Sequence, residues 1–358
     1  MEEKYHTGLK IGSLFDGIGV FPLVSSRYGI IPTWASEIEK APVSITKRHF
    51  PTMLHLGDIT KIDGGKIPPV HIITFGSPCQ NLSNIGKREG LAGSQSSLFY
   101  HAIRIIEEMR CATNGTYPVI AVWENVMGAF SSNNRLDFKA VLESFTNTEI
   151  PMPTSGVWAN AGMVRGNDVD IAWRLLDAQY WGKPTLAQRR RRIFLVADFG
   201  GTRASEILFK ARDLQSVFTS SGESRLSSTS TSRISTQKAG GKIPIIRPFQ
   251  ERRMRSTSKE KNEKGFHGSF GRTGDPFPTL LAGSVNYFTF WYEGEEKEGF
   301  IRQLIPLECE RLMGLPEGWT ALGNKGEAIS DYARYKAIGN AIAVPCAEYI
   351  MAGIAEVL

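Results

Sequence analysis

The chain has 358 residues, 41% of them hydrophobic and 22% charged, enough to bury one large core and leave room for a second, smaller lobe. No run approaches the roughly 18 consecutive apolar residues that a membrane helix needs, and no signal-like apolar stretch follows Met1-Glu2-Glu3-Lys4, so a cytoplasmic protein without a membrane partner is expected. The net charge of +6 is unevenly spread: from Arg203 to Lys264 there are 14 Lys or Arg against 6 Asp or Glu, more than the whole excess. Such a segment reads as a basic linker or as a surface that contacts phosphates, and its place inside the chain favours the second.

Leu9 to Phe15 reads as a first strand, followed by a glycine-containing turn and a helix from about Val20 to Tyr28. Ile31 to Glu37 is a second strand, Lys40 to His49 a helix, and Val70 to Phe75 a buried strand ending at the turn Gly76-Ser77-Pro78. Ser97 to Arg110 has helical apolar spacing, Val119 to Trp123 reads as a strand, and Arg192 to Ala197 closes the series. This alternation predicts an α/β chain with a Rossmann-like, mostly parallel sheet, whose ligands bind just beyond the carboxyl ends of the strands. From about Thr202 to Lys264 the pattern breaks down into a Ser/Thr-rich and then Arg-rich insertion, either weakly ordered or ordered by a partner. Tyr287 to Tyr292 again looks like a strand, and Tyr332 to Leu358 like a helical tail.

Four cysteines, Cys79, Cys111, Cys309 and Cys346, are scattered with no CxxC pair, so spacing suggests neither a disulfide framework nor a metal site. A buried, inert thiol is the ordinary expectation for each. Cys79 differs, because Gly76-Ser77-Pro78-Cys79-Gln80 would hold it at the ligand edge of the sheet. A free thiol is only about 3% thiolate at pH 7, so a nucleophilic Cys79 needs a helix N-terminus or arginines nearby. Glu124, in Trp123-Glu124-Asn125-Val126, and the run Gln188-Arg189-Arg190-Arg191-Arg192 are candidates for that environment. Phe15-Asp16-Gly17-Ile18-Gly19 forms a strand-to-helix turn that a ligand can approach closely. Glu37 can accept both hydroxyls of a ribose, and Asp58 in Gly57-Asp58-Ile59 can accept from an adenine amino group. The third glycine of the dinucleotide fingerprint is missing, with Val20 and Pro22 in its region. That disfavours NAD and suits S-adenosylmethionine, which has no pyrophosphate to seat.

Taken in order, Phe-x-Gly-x-Gly, the strand-end Glu37, Gly-Asp-Ile, Pro-Cys-Gln, Glu-Asn-Val and Gln-x-Arg-x-Arg resemble the motifs of the DNA cytosine-C5 methyltransferases. Arg302-Gln303-Leu304-Ile305-Pro306 with Glu308 and Arg311-Leu312-Met313-Gly314 is similar to the family's ninth motif, and Ala337-Ile338-Gly339-Asn340-Ala341 to its last. The resemblance spans residues 11 to 345 and implies a class I S-adenosylmethionine-dependent methyltransferase of bacterial or phage type acting on duplex DNA. It implies that Cys79 adds to C6 of a flipped-out cytosine, that Glu124 binds N3 and N4, and that Arg192 holds O2 with Arg190 supporting the same pocket. Phe15, Gly17, Gly19, Glu37, Ile38, Asp58, Ile59, Pro78, Leu98 and Asn340 would line the cofactor site. Gln80 and Ser83, in the loop after the cysteine, and Gln188 would face the DNA base.

The sequence departs from the family pattern at Ile38, where an aromatic is frequent, at Asp16 and Val20, where small residues are, and at Thr185-Leu186-Ala187, which separates Pro184 from Gln188. The expected organisation is a catalytic domain over 1–198 and 328–358, with a target-recognition domain over 199–327 that includes the basic insertion of about 203–264. A nucleoid-associated monomer is expected, with a cognate restriction endonuclease, acting independently, as one setting. A tRNA cytosine-C5 methyltransferase is the nearest rival, countered by the basic insertion. A catalytically silent homologue is countered by the intact Cys79, Glu124, Arg190 and Arg192, and an NAD-dependent oxidoreductase by the absent glycine.

Overall fold

The computed structural model of the chain describes residues 8–77, 97–166, 168–182, 185–210, 244–251, 268–270, 277, 279–280, 287–292 and 300–358. Pro78, Cys79, Gln80, Ser83 and most of the basic insertion lie outside the described residues. One sheet contains β1 (Lys10–Leu14), β2 (Ile31–Ser36), β3 (Leu54–His55), β4 (Ile72–Phe75), β5 (Ile120–Val126), β6 (Ala161–Arg165), β7 (Val169–Asp177) and β8 (Arg191–Phe199). Its order is β3-β2-β1-β4-β5-β8-β7-β6. The pairings from β3 through β5 are parallel, as the βαβ pattern predicts, whereas β8 is antiparallel to both its neighbours and β6 to β7. The helices α1 (Val20–Ser26), α2 (Lys40–His49) and α3 (Ser97–Ala112) lie between the parallel strands in the chain. The chain leaves β1 toward β2 on one side, then returns to place β4 on the other. That reversal opens a crevice beyond the carboxyl ends of β1 and β4, where the two motif-bearing turns begin.

The remaining helices are α4 (Leu136–Thr146), α5 (Ala204–Leu208), α6 (Pro306–Met313), α7 (Asp331–Asn340) and α8 (Val344–Val357). A second, fully antiparallel sheet is built from β9 (Pro244–Glu251), β10 (Gly268–Phe270), β11 (Tyr287–Tyr292) and β12 (Phe300–Gln303), in the order β10-β9-β11-β12. Side chains alternate faces along a strand, so the large sheet is covered on both sides. Ile11, Ile72, Val122 and Phe194 face one core with α1 and α8, whereas Ile73, Phe75, Trp123 and Leu195 face the other with α3 and α4.

Several expectations change. The helical tail is two helices, bent by 46° between α7 and α8, because Pro345 in the first turn of α8 cannot donate a backbone hydrogen bond. By length and composition this bent pair passes for a membrane span, and among the described residues no single helix does; α8 is packed into the core. β5 runs past Trp123 to Val126, which gives Glu124 and Asn125 strand geometry. β6, β7 and α4 were not anticipated. The expected boundaries at 198 and 328 also do not follow the packing. Ala204, Ile207 and Leu208 of α5, together with Leu304, Leu312, Met313, Leu315 and Trp319, belong to the same core as β1 and α8. Strand patterning fades at those positions, but the core continues through a helix on each side of the second sheet.

Gly12 in β1 faces the indole of Trp34, and a methyl group there would overlap the ring carbons. Trp34 is fully buried and its Nε1 donates to the Pro68 carbonyl at 2.9 Å, so it has nowhere to go. Gly12→Ala is expected to lower the unfolding free energy by about 2–3 kcal/mol, measured by urea titration. A midpoint equal to the wild type would show that the ring can yield.

Candidate active site

β4 delivers the chain to Gly76 and Ser77, two residues before Cys79. The indole Nε1 of Trp123 donates to Ser77 Oγ at 3.1 Å, and Asn125 Nδ2 donates to the Ser77 carbonyl at 3.1 Å. The other end of the Asn125 amide accepts the Val126 N–H at 2.8 Å. Trp123, Asn125 and Ser77 are all buried, so these bonds fix the approach to the cysteine without competition from water. Trp123 and Asn125 share a strand face, and Glu124 between them points the other way. A Cβ on Gly76 would stand 3.0 Å from Glu124 Oε2, so the missing side chain allows that carboxyl to lie against the turn.

Glu124 meets Arg192 through an ion pair of 3.1 Å between Oε1 and Nε. In the antiparallel register of β5 and β8, Glu124 is opposite Phe194 and Val126 is opposite Arg192. Glu124 and Arg192 are therefore diagonal neighbours on one face, within reach of long side chains. Burial raises the Glu124 carboxyl above its ordinary range, and the nearby Arg192 and Arg190 charges oppose that rise. Arg190, expected to support the same pocket, is also buried, and main-chain carbonyls hold its guanidinium. Nη1 donates to Leu280 O at 3.1 Å, and Nη2 donates to Gly339 O at 2.9 Å and Ala341 O at 2.6 Å. It ties the start of β8 to the end of α7. Burial and the neighbouring Arg192 lower its pKa. Arg191 and Arg189, of opposite parity, face Asp177.

A cavity of about 520 Å³ runs from this group to the cofactor turn. Of the residues singled out by sequence, Phe15, Gly17, Glu37, Ile38, Asp58, Ile59, Leu98, Glu124, Arg190, Arg192 and Asn340 line it. Glu37 Oε2 accepts the Gly17 N–H at 3.0 Å, and Oε1 accepts those of Ile38 and Glu39 at 2.8 and 2.9 Å. Oε1 is filled by its two donors, but Oε2 has a second lone pair, so Glu37 can hold the turn and still receive a hydroxyl. Asp58 Oδ1 accepts from the Thr60 N–H and hydroxyl, which hold its carboxyl below the usual range; Oδ2 is left for a ligand. Phe15 adopts φ 54°, a left-handed conformation rare for an aromatic residue.

Gly19 and Gln188 do not line the cavity. Gly19, at φ 77°, begins α1 and backs onto Thr46 and Phe50. Gln188 is fully buried, its backbone bridges Phe277, and its amide has no partner among the described residues. Sequence reasoning missed Ser36, Pro42, Asn125, Val126, Ala337 and Gly339 as lining residues. It also missed the bridge from Lys336 Nζ to both Glu39 oxygens, at 2.8 and 2.9 Å, across the cavity rim. Of the other cysteines, Cys309 and Cys346 are buried, and burial raises both thiols, Cys309 up to about 12. Cys111 is exposed, against the expectation of a buried thiol. No group of three His, Cys, Asp or Glu among the described residues is placed to hold a metal ion.

A mostly parallel sheet with its switch point at this cavity, and the buried Arg190 and half-buried Arg192 beside a carboxyl with a raised pKa, mark the ligand site of an α/β enzyme. The sequence pattern of the family C-5 cytosine-specific DNA methylase matches residues 9–356, and the chain belongs to that family. Among curated relatives, an Escherichia phage P1 protein named DNA N-6-adenine-methyltransferase is 26% identical over 95% of this chain. The chain spans 60% of that relative's length. The type II methyltransferase M1.ScrFI of Lactococcus lactis subsp. cremoris is 28% identical over all of this chain and 80% of its own length. In fold, the chain is similar to the S. pombe Dnmt2 methyltransferase, with a TM-score of 0.63, 14% identity and 98% of each chain covered.

Two separate nitrogens of the Arg190 fork serve three carbonyls, and a lysine, with one nitrogen on a shorter stem, cannot occupy both positions. Arg190→Lys is expected to cost about 3 kcal/mol of stability, measured by chemical denaturation. A loss below about 0.5 kcal/mol, the range of ordinary surface changes, would mean that these bonds do not hold the C-terminal helices in place.

Proposed function

We propose that this chain transfers a methyl group from S-adenosylmethionine to C5 of a flipped-out cytosine in a specific duplex DNA sequence. The observation that carries the reading is the single cavity that joins Glu37 and Asp58 at one end to Glu124 and Arg192 at the other. Its first end offers carboxylate acceptors and apolar walls at Phe15, Ile38, Ile59 and Leu98; among the described residues no lysine or arginine lines that end, and Lys336 at the rim is engaged by Glu39. That chemistry suits a phosphate-free nucleoside. When bound there, the cofactor supplies an electrophilic methyl group.

At the other end, Cys79 as thiolate forms a bond from its sulfur to C6 and leaves C5 nucleophilic. Arg192, and behind it the fixed charge of Arg190, stabilises thiolate and adduct alike. As charge builds on the ring, the protonated Glu124 carboxyl donates to N3 and afterwards accepts from the exocyclic N4 amino group. Arg192 holds O2. After C5 is methylated a base removes its proton, the double bond re-forms and Cys79 leaves. Flipping the base out costs a few kcal/mol. The second sheet and the basic insertion form the target-recognition region, where Arg and Lys read base edges and phosphates. The enzyme acts as a monomer on DNA in the cytoplasm. The type II names of the relatives fit a restriction-modification setting, with an endonuclease acting independently.

Bisulfite sequencing of DNA from cells that express the chain is expected to give 5-methylcytosine in one sequence context. Methylation found on tRNA alone, or on adenine as in the phage P1 relative's name, would reject the proposal. Cys79→Ser is expected to abolish methylation while S-adenosylhomocysteine still binds; retained activity would sink the covalent step.

The pH dependence has a definite sign. A raised Glu124 pKa means that the proton-donating form persists to higher pH and is lost as pH rises through that value, so kcat declines on the alkaline side. Glu124→Gln is expected to remove that decline and reduce kcat by about 10²–10⁴. An unchanged alkaline limb in the variant would assign the titration to another group.

A further inference from the structure

Trp319 follows α6, in a stretch expected to belong to the recognition region, yet its indole is buried in the catalytic core. Its Nε1 donates to the carbonyl of Ile18 at 2.8 Å. Ile18 sits between Gly17 and Gly19, whose φ values are 57° and 77°, and Gly17 lines the cavity. The turn is thus held from two sides, since the Gly17 N–H also donates to Glu37.

The indole is itself firmly seated. His49 of α2 stacks on it with ring centroids 3.6 Å apart and planes 3° apart, and His49 Nε2 lies 2.8 Å from the Trp319 carbonyl oxygen. Phe50 meets the ring edge-on and also fills the space that a side chain on Gly19 would take. The loop that presents Trp319 is organised by the fully buried carboxylate of Glu310. That carboxylate accepts from the Gly318 and Thr320 N–H groups at 2.7 and 2.9 Å, from the Thr320 hydroxyl, and from Arg334 of α7 at 3.2 Å. Filling an apolar hole would need only a hydrocarbon ring. This arrangement instead holds one buried N–H donor against one carbonyl of the turn.

We infer that Trp319 is a positioning residue for the cofactor: acting through Ile18, it holds Gly17 and Gly19 in the left-handed conformation that shapes the cavity wall. The inference rests on the reading of that cavity as the S-adenosylmethionine site. A glycine-rich turn is otherwise free to leave this conformation, and each excursion removes the wall against which the cofactor packs.

Trp319→Phe keeps the stacking surface and deletes the donor. The KM for S-adenosylmethionine and the Kd for S-adenosylhomocysteine, by calorimetry, are expected to rise about fivefold, the worth of one neutral hydrogen bond, while the KM for DNA stays put. Without cofactor, amide hydrogen exchange is expected to quicken within residues 15–23 and not elsewhere. Thr320→Val, which removes one donor to Glu310 and leaves the indole intact, is expected to quicken the same segment to a smaller extent. Unchanged exchange over 15–23 in both variants, or loss of protection spread evenly along the chain, would overturn the inference and leave Trp319 a core residue. A wild-type protein that failed to bind S-adenosylhomocysteine would instead reject the cavity's reading, and the exchange data would still decide what Trp319 does to the turn.

Discussion

The antiparallel pairing of β5 with β8 sets which polar groups can meet at the base end of the cavity. Register and the two-residue repeat together put Glu124, Arg190 and Arg192 on one face, and Trp123, Asn125 and Arg191 on the other. A slip of one residue would exchange the sets, presenting an indole to the cavity and burying a carboxylate among the aromatic rings of α3 and α4. The register is secured by apolar side chains that have no tolerable place on the wrong face, among them Val122, Phe194 and Val196 toward α8 and Trp123 and Leu195 toward α4. The polar site is thus aligned by the hydrophobic core beneath it.

Three carboxyl groups, two that line the cavity and one in the helix before the Trp319 loop, carry different tasks because their donors differ. Glu37 receives three backbone N–H groups and is thereby a charged acceptor fixed in direction. Glu310, fully buried, receives donors from Gly318, Thr320 and Arg334 and organises a loop. Glu124 has Arg192 beside it but is buried enough for its pKa to rise, and is the one suited to give up a proton. Residue type alone does not distinguish these roles; the number and kind of donors do.

What was legible in the sequence was local. The strands ending at Leu14, Ser36 and Phe75 follow from short apolar runs, and the lining residues Phe15 and Glu37 from their position just after the first two; Asp58 is legible only from Gly57-Asp58-Ile59. β7 was hidden because it is buried on both faces along most of its length, so Val169-Asp170-Ile171-Ala172-Trp173 shows no alternation. Arg190 and Arg192 have the same parity, and the family resemblance, not the local sequence, gives them different roles. Only coordinates show that Arg190 ends among the carbonyls of Leu280, Gly339 and Ala341 while Arg192 reaches Glu124. Trp319 and Lys336 act across about 300 residues of chain, on Ile18 and Glu39 respectively, and no local pattern signals such a partner.

The bridge from Lys336 to Glu39, together with Ala337, Gly339 and Asn340 on the same wall, means that the cavity is closed by residues from opposite ends of the sequence. During synthesis the first two strands and their turn emerge early, yet the site they serve has no far wall until α7 follows, well over two hundred residues later. A ribosome-bound chain therefore carries the cofactor turn for most of its elongation without a place to hold the cofactor. The cavity is complete only once the second sheet and α7 have been made, so whatever binds there is held by a nearly finished chain and not by an early nascent one.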